Sequence, residues 1–329
     1  MKAALTDKIY ACLAGGLIGD AMGAPVENWD YHKIQETYGW LQEFSGDGTN
    51  DSAIKLILYD TIVTHNGDVT ADEFAESFLK MEKQYYNLFY IPVRNMLHKV
   101  QDGLSLPVCA GVGNMQSSSS AMCISPMGIL NACDPRQAAV ETYDVVGLIH
   151  AGDTTFCRDA ACAMAAAVAE AMKPDATVDS VVDAATRYLH PTSSAVELAS
   201  IREALDKARE LNDYALFRDW IYENRLRSVI SDSRETVPVA LSLFYLAGGD
   251  PVKAIEYGAN FGRDADTIGT MVGSLAGAFR GTAGLKPEWI DTLENYHSQK
   301  PLAESLYQAA AAKKERQREV LRQYDLLAE

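Results

Sequence analysis

Apolar residues recur along this chain mostly at helical spacing. Ile9, Cys12, Leu13, Gly16, Leu17 and Asp20 fall at i, i+3, i+4, i+7, i+8 and i+11, one face of a helix with Thr6 as its expected N-cap. A second helix is expected from near Thr49, turning Ile54, Ile57, Leu58 and Ile62 inward. A third is expected from near Asp153 through the alanine-rich run DAACAMAAAVAEAM, whose small side chains let neighbouring helices approach closely. Further helices are expected across 71–83, 136–148, 178–189, 195–210, 215–226, 236–247, 251–260, 267–280 and 287–296, with Asp250 and Pro251 as an N-cap and N1 pair. Alternating strand patterns are nearly absent, so the expected class is all-α.

Two segments break the simple pattern. The helix expected from near Asp266 sets Ile268, Met271, Val272, Leu275, Ala276 and Phe279 on one face, and Gly269, Gly273 and Gly277 four residues apart on another. Each glycine costs about 1 kcal/mol in a helix interior relative to alanine, so three in register predict close backbone packing against a neighbour. Residues 103–133 carry no charge but hold prolines, glycines and four consecutive serines, Ser117 to Ser120. That composition fits a functional loop, while its Met, Ile and Cys content also fits a buried irregular connection. No flexible linker divides the chain; the expected organisation is one domain over 1–290 with a helical extension, 291–329, packed on it. The charged tail from Glu304 reads as a solvated or oligomer-contacting helix, so a homo-oligomer is an open expectation.

Charge narrows the partners. Lys plus Arg total 29 against 45 for Asp plus Glu among 329 residues, a formal charge of −16 that repels nucleic acid and anionic membrane. The longest well-formed apolar runs, Val237 to Gly249 and Thr267 to Phe279, fall short of the roughly 18 residues a membrane span needs, so a soluble protein is expected. Asp7, Lys8 and Asp20 interrupt what would have to be a signal-peptide core, and six cysteines without a CxxC pair read as free, mostly buried thiols; a cytoplasmic location is expected.

Four acid-bearing clusters sit at expected loop-to-helix junctions: GDAMGAPVE (19–27), GDGTNDSA (46–53), HAGDTT (150–155) and GRDADTIG (262–269). A carboxylate in a first helical turn can simply cap free N–H groups. GRDADT strains that explanation, because two Asp residues two apart followed by Thr exceed what one cap requires. Together with TND it offers Asp, Asn and Thr oxygens, donors of the hard-cation type, which points to Mg²⁺, Mn²⁺ or Ca²⁺. The six histidines, His297 among them, show no zinc spacing, and neither a GxSxG elbow nor a GxxxxGK[ST] loop is present.

In this order, GDAMGAPVE, the TND junction, SAMCISPMGIL, a His before an alanine-rich helix, RETVPVAL and GRDADTIGTMVGSLAGAFRG, the sequence resembles the ADP-ribosylglycohydrolase superfamily over roughly residues 5–285. The resemblance implies an orthogonal multi-helix bundle around a central binuclear metal cleft, with two Mg²⁺ ions (Mn²⁺ in some members) and water attacking the anomeric carbon of a ribose. It implies Thr49, Asn50, Asp51, Asp264, Asp266 and Thr267 as metal ligands and Glu27 as a mobile glutamate associated with the metals and substrate entry. With Glu27, Asp51 is the expected catalytic residue, since its carboxylate can accept the proton of the attacking water. Ser118, Ser119, Ser120, Met122, His150 and Arg263 are the expected substrate contacts.

Three departures from the family's pattern leave the substrate open between an ADP-ribosyl adduct and a smaller riboside such as a nucleoside. Asn50 stands for the usual middle Asp, removing a negative charge. The serine run stands where glycine and asparagine are usual, with Cys123 in place of an Arg. Arg263 replaces a glycine, either as a charge-balancing partner for the neighbouring acids or as a fork for a phosphate or carboxylate of the substrate. A ligand-binding or structural protein that keeps the fold without turnover is the alternative that Asn50 favours.

Overall fold

The computed structural model describes residues 2–46, 48–296 and 298–328; Asp47 of the GDGTNDSA cluster and His297 lie outside the described residues. The described residues form sixteen α-helices: α1 (Lys2–Gly23), α2 (Tyr31–Tyr38), α3 (Asn50–Thr64), α4 (Ala71–Tyr85), α5 (Ile91–Gln101), α6 (Ser125–Leu130), α7 (Pro135–Val145), α8 (Thr155–Ala171), α9 (Val178–Arg187), α10 (Ala195–Leu211), α11 (Tyr214–Asn224), α12 (Ser233–Leu246), α13 (Pro251–Phe261), α14 (Ala265–Arg280), α15 (Pro287–Tyr296) and α16 (Lys300–Ala328). Among the described residues the β-structure is one isolated bridge, Val112 with Ala151. The all-α expectation holds.

At the centre α1 packs along α14, and glycine decides how closely. A Cβ placed on Gly15, Gly19 or Gly23 would lie 2.3, 2.1 or 2.4 Å from the carbonyl oxygen of Gly273, Gly269 or Ala265. The reverse contacts are as tight: Gly269, Gly273 and Gly277 face the carbonyls of Gly19, Gly15 and Ala11 at 2.4, 2.1 and 2.0 Å. The in-register glycines of α14 therefore meet a second set on α1, and the two backbones touch where any side chain would push them apart. Around this pair the alanine-rich α8 is buried along almost its whole length, from Asp159 to Ala171.

Several boundaries differ from expectation. Thr6 lies inside α1 rather than capping it, because the helix already runs from Lys2. The stretch Ala4–Val26 is by length and composition apolar enough to cross a membrane, longer than the runs judged longest from sequence, but 89% of its apolar window is buried against the rest of the fold. Helices α2, α5 and α6 lie outside the helices expected from sequence: α6 is six residues long, and α5 starts behind Tyr90 with no side-chain cap. Asp250 does cap α13, accepting from the Lys253 N–H.

Residues 103–133 are neither wholly loop nor wholly core. Leu104, Leu106 and Val112 are exposed, whereas Ser117 to Leu130 are buried and include α6. In α16, Ala303, Leu306, Ala309, Ala310 and Lys313 dock on the body, where the Lys313 ammonium donates to Asn131 Oδ1 (2.9 Å) and to Glu141. Past that point Val320, Leu321, Tyr324 and Leu327 are exposed. All six cysteines are free; Cys12, Cys123, Cys157 and Cys162 are buried, and Cys109 and Cys133 are exposed.

Candidate functional site

The close α1–α14 contact brings the starts of α3 and α14 to one cavity of about 270 Å³. Glu27, Asn50, Asp51, Ser118, Ser119, Met122, Asp264, Asp266 and Thr267 line it, joined by residues no motif had marked: Asn28, Leu88, Phe89, Tyr90, Ile230 and Ser231. A larger open groove of about 740 Å³, beside Tyr10, Ile290 and Ala303, is lined by none of the candidate site residues.

At α3, Thr49 is the N-cap: its hydroxyl accepts from the Asp51 N–H (3.3 Å) and lies 3.2 Å from Asp51 Oδ2. The orphan amides of this helix start are further met from α1, where the Asp20 carboxylate accepts from Thr49 N and Ser52 N, each at 3.0 Å, and from the Ser52 hydroxyl. Gly48 (φ +82°) is required there, since a Cβ would lie 2.5 Å from Asp20 Oδ2. With Thr49 and Asp20 capping the helix, the Asp51 carboxylate is not needed as a cap: its Oδ2 accepts from the Thr49 hydroxyl, and its buried Oδ1 has no hydrogen-bond partner.

At α14, Asp264 occupies the N-cap position but makes no side-chain cap bond; it accepts instead from Ser118 Oγ at 3.2 Å. Asp266 Oδ1 is buried and unpartnered. Ligand oxygens of Glu27, Asp264 and Asp266 lie within 4.8 Å of one another, with Glu27 exposed and the two aspartates buried. No Lys or Arg lines the cavity among the described residues.

Burial of these acids has a cost in charge. Loss of solvent, reinforced by Asp20 and Asp264, raises Asp51 well above the usual carboxylate range, and Asp266 is raised by burial and then by Asp51 and Asp264. Burial with the nearby Glu27 charge pushes Asp264 up to about 7, although the Thr267 and Ser118 hydroxyls work against it. One turn below Asp51 on α3, the buried Lys55 ammonium donates to Thr270 Oγ1 (2.6 Å) and Ser274 Oγ (3.3 Å) and is the cation that favours the charged forms of Asp20 and Asp51. Two carboxylate oxygens at the cavity without partners, Asp51 Oδ1 and Asp266 Oδ1, fit a hard cation, as does the all-oxygen donor set.

Other expected contacts fall elsewhere. His150 is wholly buried behind the serine turn, with Nδ1 2.6 Å from Ser120 Oγ and Nε2 3.1 Å from Ser117 Oγ, and burial pushes its pKa down to about 3, so it is neutral. Neither His150 nor Ser120 lines the cavity; they shape the turn that presents Ser118 and Ser119. Cys123 points into that turn, its thiol 3.5 Å from the Ser119 carbonyl. Arg263 does not line the cavity: its guanidinium turns to Glu235 (Nε to Oε1 2.8 Å, Nη2 to Oε2 3.0 Å) and to the Arg227 carbonyl (2.6 Å). Asn50 stays at the cavity with its Nδ2 4.0 Å from Met122 Sδ.

Of the residues that sequence reasoning missed, Asp20 lay inside a marked cluster but carried no separate signal. The loop residues Leu88 to Tyr90 and Ile230 to Ser231 follow no periodicity at all.

Fold and cavity together define a class: an all-α bundle in which the starts of α3 and α14 bring buried carboxylates to one cavity. The chain belongs to the ADP-ribosylglycohydrolase family, whose model matches residues 1–316. It is 27% identical to the uncharacterized protein YegU of Escherichia coli (strain K12), over 96% of this chain and 99% of that protein. It is 22% identical to ADP-ribosylhydrolase ARH3 of Bos taurus (91% and 92% covered) and 24% identical to ADP-ribosylarginine hydrolase Tri1 of Pseudomonas putida (strain GB-1) (92% and 79% covered). Among solved structures, a chain of an ADP-ribosylglycohydrolase-related protein complex shares the fold, with a TM-score of 0.72 at 20% identity over 94% of this chain and 99% of that one. Family membership assigns glycosidic-bond hydrolysis at ADP-ribosyl groups as the class of reaction, and the family is generally metal-dependent.

Proposed function

We propose that this protein is a divalent-metal-dependent hydrolase that cleaves the N- or O-glycosidic bond at the anomeric carbon of a ribosyl or ADP-ribosyl group. The observation that carries the reading is the pair of buried, unpartnered oxygens, Asp51 Oδ1 and Asp266 Oδ1, in a cavity that also gathers Glu27 and Asp264. Buried carboxylates this close must hold protons or a cation.

Glu27, Asp51, Asp264 and Asp266, with Thr49, Asn50 and Thr267 beside them, would hold Mg²⁺, with Mn²⁺ or Ca²⁺ as substitutes and two ions expected from the family resemblance. When bound, such an ion supplies Lewis-acid polarisation and a lowered pKa for coordinated water. The chain's own residues do the rest. The Asp51 carboxylate, ionised once a divalent ion is held beside it, takes the proton of the attacking water. Ser118 holds Asp264 and, with Ser119, offers hydroxyls toward the ribose. Met122, Phe89 and Tyr90 give the cavity an apolar wall that limits water around an oxocarbenium-like carbon.

Asn50 favours a second reading, a binding protein of the same fold without turnover, because it removes a charge from the ligand set. Hydrolysis of ADP-ribosyl-arginine, ADP-ribosyl-serine, ADP-ribose and common nucleosides, each with added Mg²⁺ or Mn²⁺ and with chelator, separates the two. Metal-dependent release of a free ribosyl product supports the hydrolase; bound metal with no release from any of them supports the binder.

A further inference from the structure

Arg263 holds three parts of the cavity at once. Its backbone conformation is left-handed (φ +62°), a region that disfavours a branched-off side chain, so something fixes it there. On one side its N–H donates to the Trp29 carbonyl and its own carbonyl accepts from the Asn28 N–H, both at 2.7 Å, which ties it to the segment carrying Glu27 and Asn28. On the other side the guanidinium reaches Glu235 on α12 through two nitrogens and the Arg227 carbonyl through Nη2. The Glu235 carboxylate, whose side chain is 0% exposed, also accepts from the Arg227 N–H at 2.6 Å. Both peptide groups of Arg227 are thus pinned, and the loop that follows delivers Ile230 and Ser231 to the cavity wall. Asp264 is the next residue in the chain.

We propose that Arg263 is a positioning residue: its fork to Glu235 and Arg227 and its backbone pair with Asn28 and Trp29 set the separation of the two cavity walls, and so the fit of the ribosyl substrate. Planarity matters, because a lysine ammonium can meet Glu235 but cannot bridge Glu235 and the Arg227 carbonyl in one plane. The clamp stands on this geometry alone; only its effect on substrate rests on the proposed hydrolase.

The test uses the full chain and two variants. Arg263→Lys keeps the charge opposite Glu235. Arg263→Gly combined with Glu235→Gln relieves the left-handed backbone and leaves no buried carboxylate unpaired. In both, hydrogen exchange of the amides in 227–231 is expected to quicken about tenfold or more, while α1 and α14 exchange as in the wild type. Where a ribosyl substrate is turned over, KM is expected to rise about tenfold with kcat changed less than about threefold, and Ser231→Ala is expected to raise KM in the wild type but to add nothing in the Gly/Gln background. Unchanged exchange in 227–231, or exchange that quickens equally throughout the molecule, overturns the proposal, as does a Ser231→Ala effect of the same size in both backgrounds. Were no ribosyl substrate cleaved, the hydrolase reading would fail while the exchange measurement still decided the clamp.

Discussion

Gly19 and Gly269 meet backbone to backbone: a Cβ on the first would lie 2.1 Å from the other's carbonyl oxygen, and a Cβ on the second 2.4 Å from that of Gly19. Asp20 follows Gly19 directly and Asp266 precedes Gly269 by three residues, so the contact that joins the core helices also sets an acid that caps α3 and one that lines the cavity. Gly269→Ala is expected to cost about 3 kcal/mol in chemical denaturation, since rigid backbone rather than a flexible side chain opposes the new methyl. Divalent-ion affinity should fall with it. A variant of wild-type stability would show that the helices can slide apart at no cost.

Acidity gives a second expectation. In the metal-free protein Asp264 titrates near 7 against an ordinary value of 3.8, and Asp51 and Asp266 are raised too. A carboxyl group whose pKa is higher folded than unfolded contributes stability below its unfolded value and loses it as pH climbs through the folded one. Chelator-treated protein should therefore be less stable at pH 8 than at pH 5, by an amount on the order of 2.5 kcal/mol from Asp264 alone. Added Mg²⁺ should reverse the trend, because it binds the ionised acids. Thermal unfolding at both pH values, with and without the ion, checks this; metal-free stability that rises from pH 5 to pH 8 would contradict it.

Restoring a carboxylate at the α3 junction gives a third. Asn50→Asp adds a hard, charged donor beside Asp51 and should tighten divalent binding about tenfold. Equilibrium dialysis measures it directly. Unchanged affinity would mean that residue 50 faces Met122 rather than the ions, and that the triplet serves mainly to start α3.

Much of this architecture is legible in the sequence. The Gly269, Gly273 and Gly277 spacing reports close packing because in-register helical glycine has few other uses, and Asp264 with Asp266 stands out because two acids exceed one cap. The partner of each group is not legible. Nothing near GRDADT says that Glu235 lies opposite Arg263, because that meeting depends on how α12 crosses the start of α14. His150 and Ser120 sit beside the right segments but face inward, a distinction that only burial makes. Tyr90 and Ser231 come from stretches without period, where position is set by the helices at either end.

The central claim, that the cavity between α1, α3 and α14 holds a divalent cation on Asp266 and its neighbours, is tested most directly by calorimetric titration of Mg²⁺ and Mn²⁺ into metal-free protein and its Asp266→Asn variant. Wild-type protein should bind, and the variant should lose binding while its far-UV circular dichroism stays that of the intact helical fold and its metal-free form gains stability, since one strained buried acid is gone. Full divalent binding by Asp266→Asn would contradict the claim.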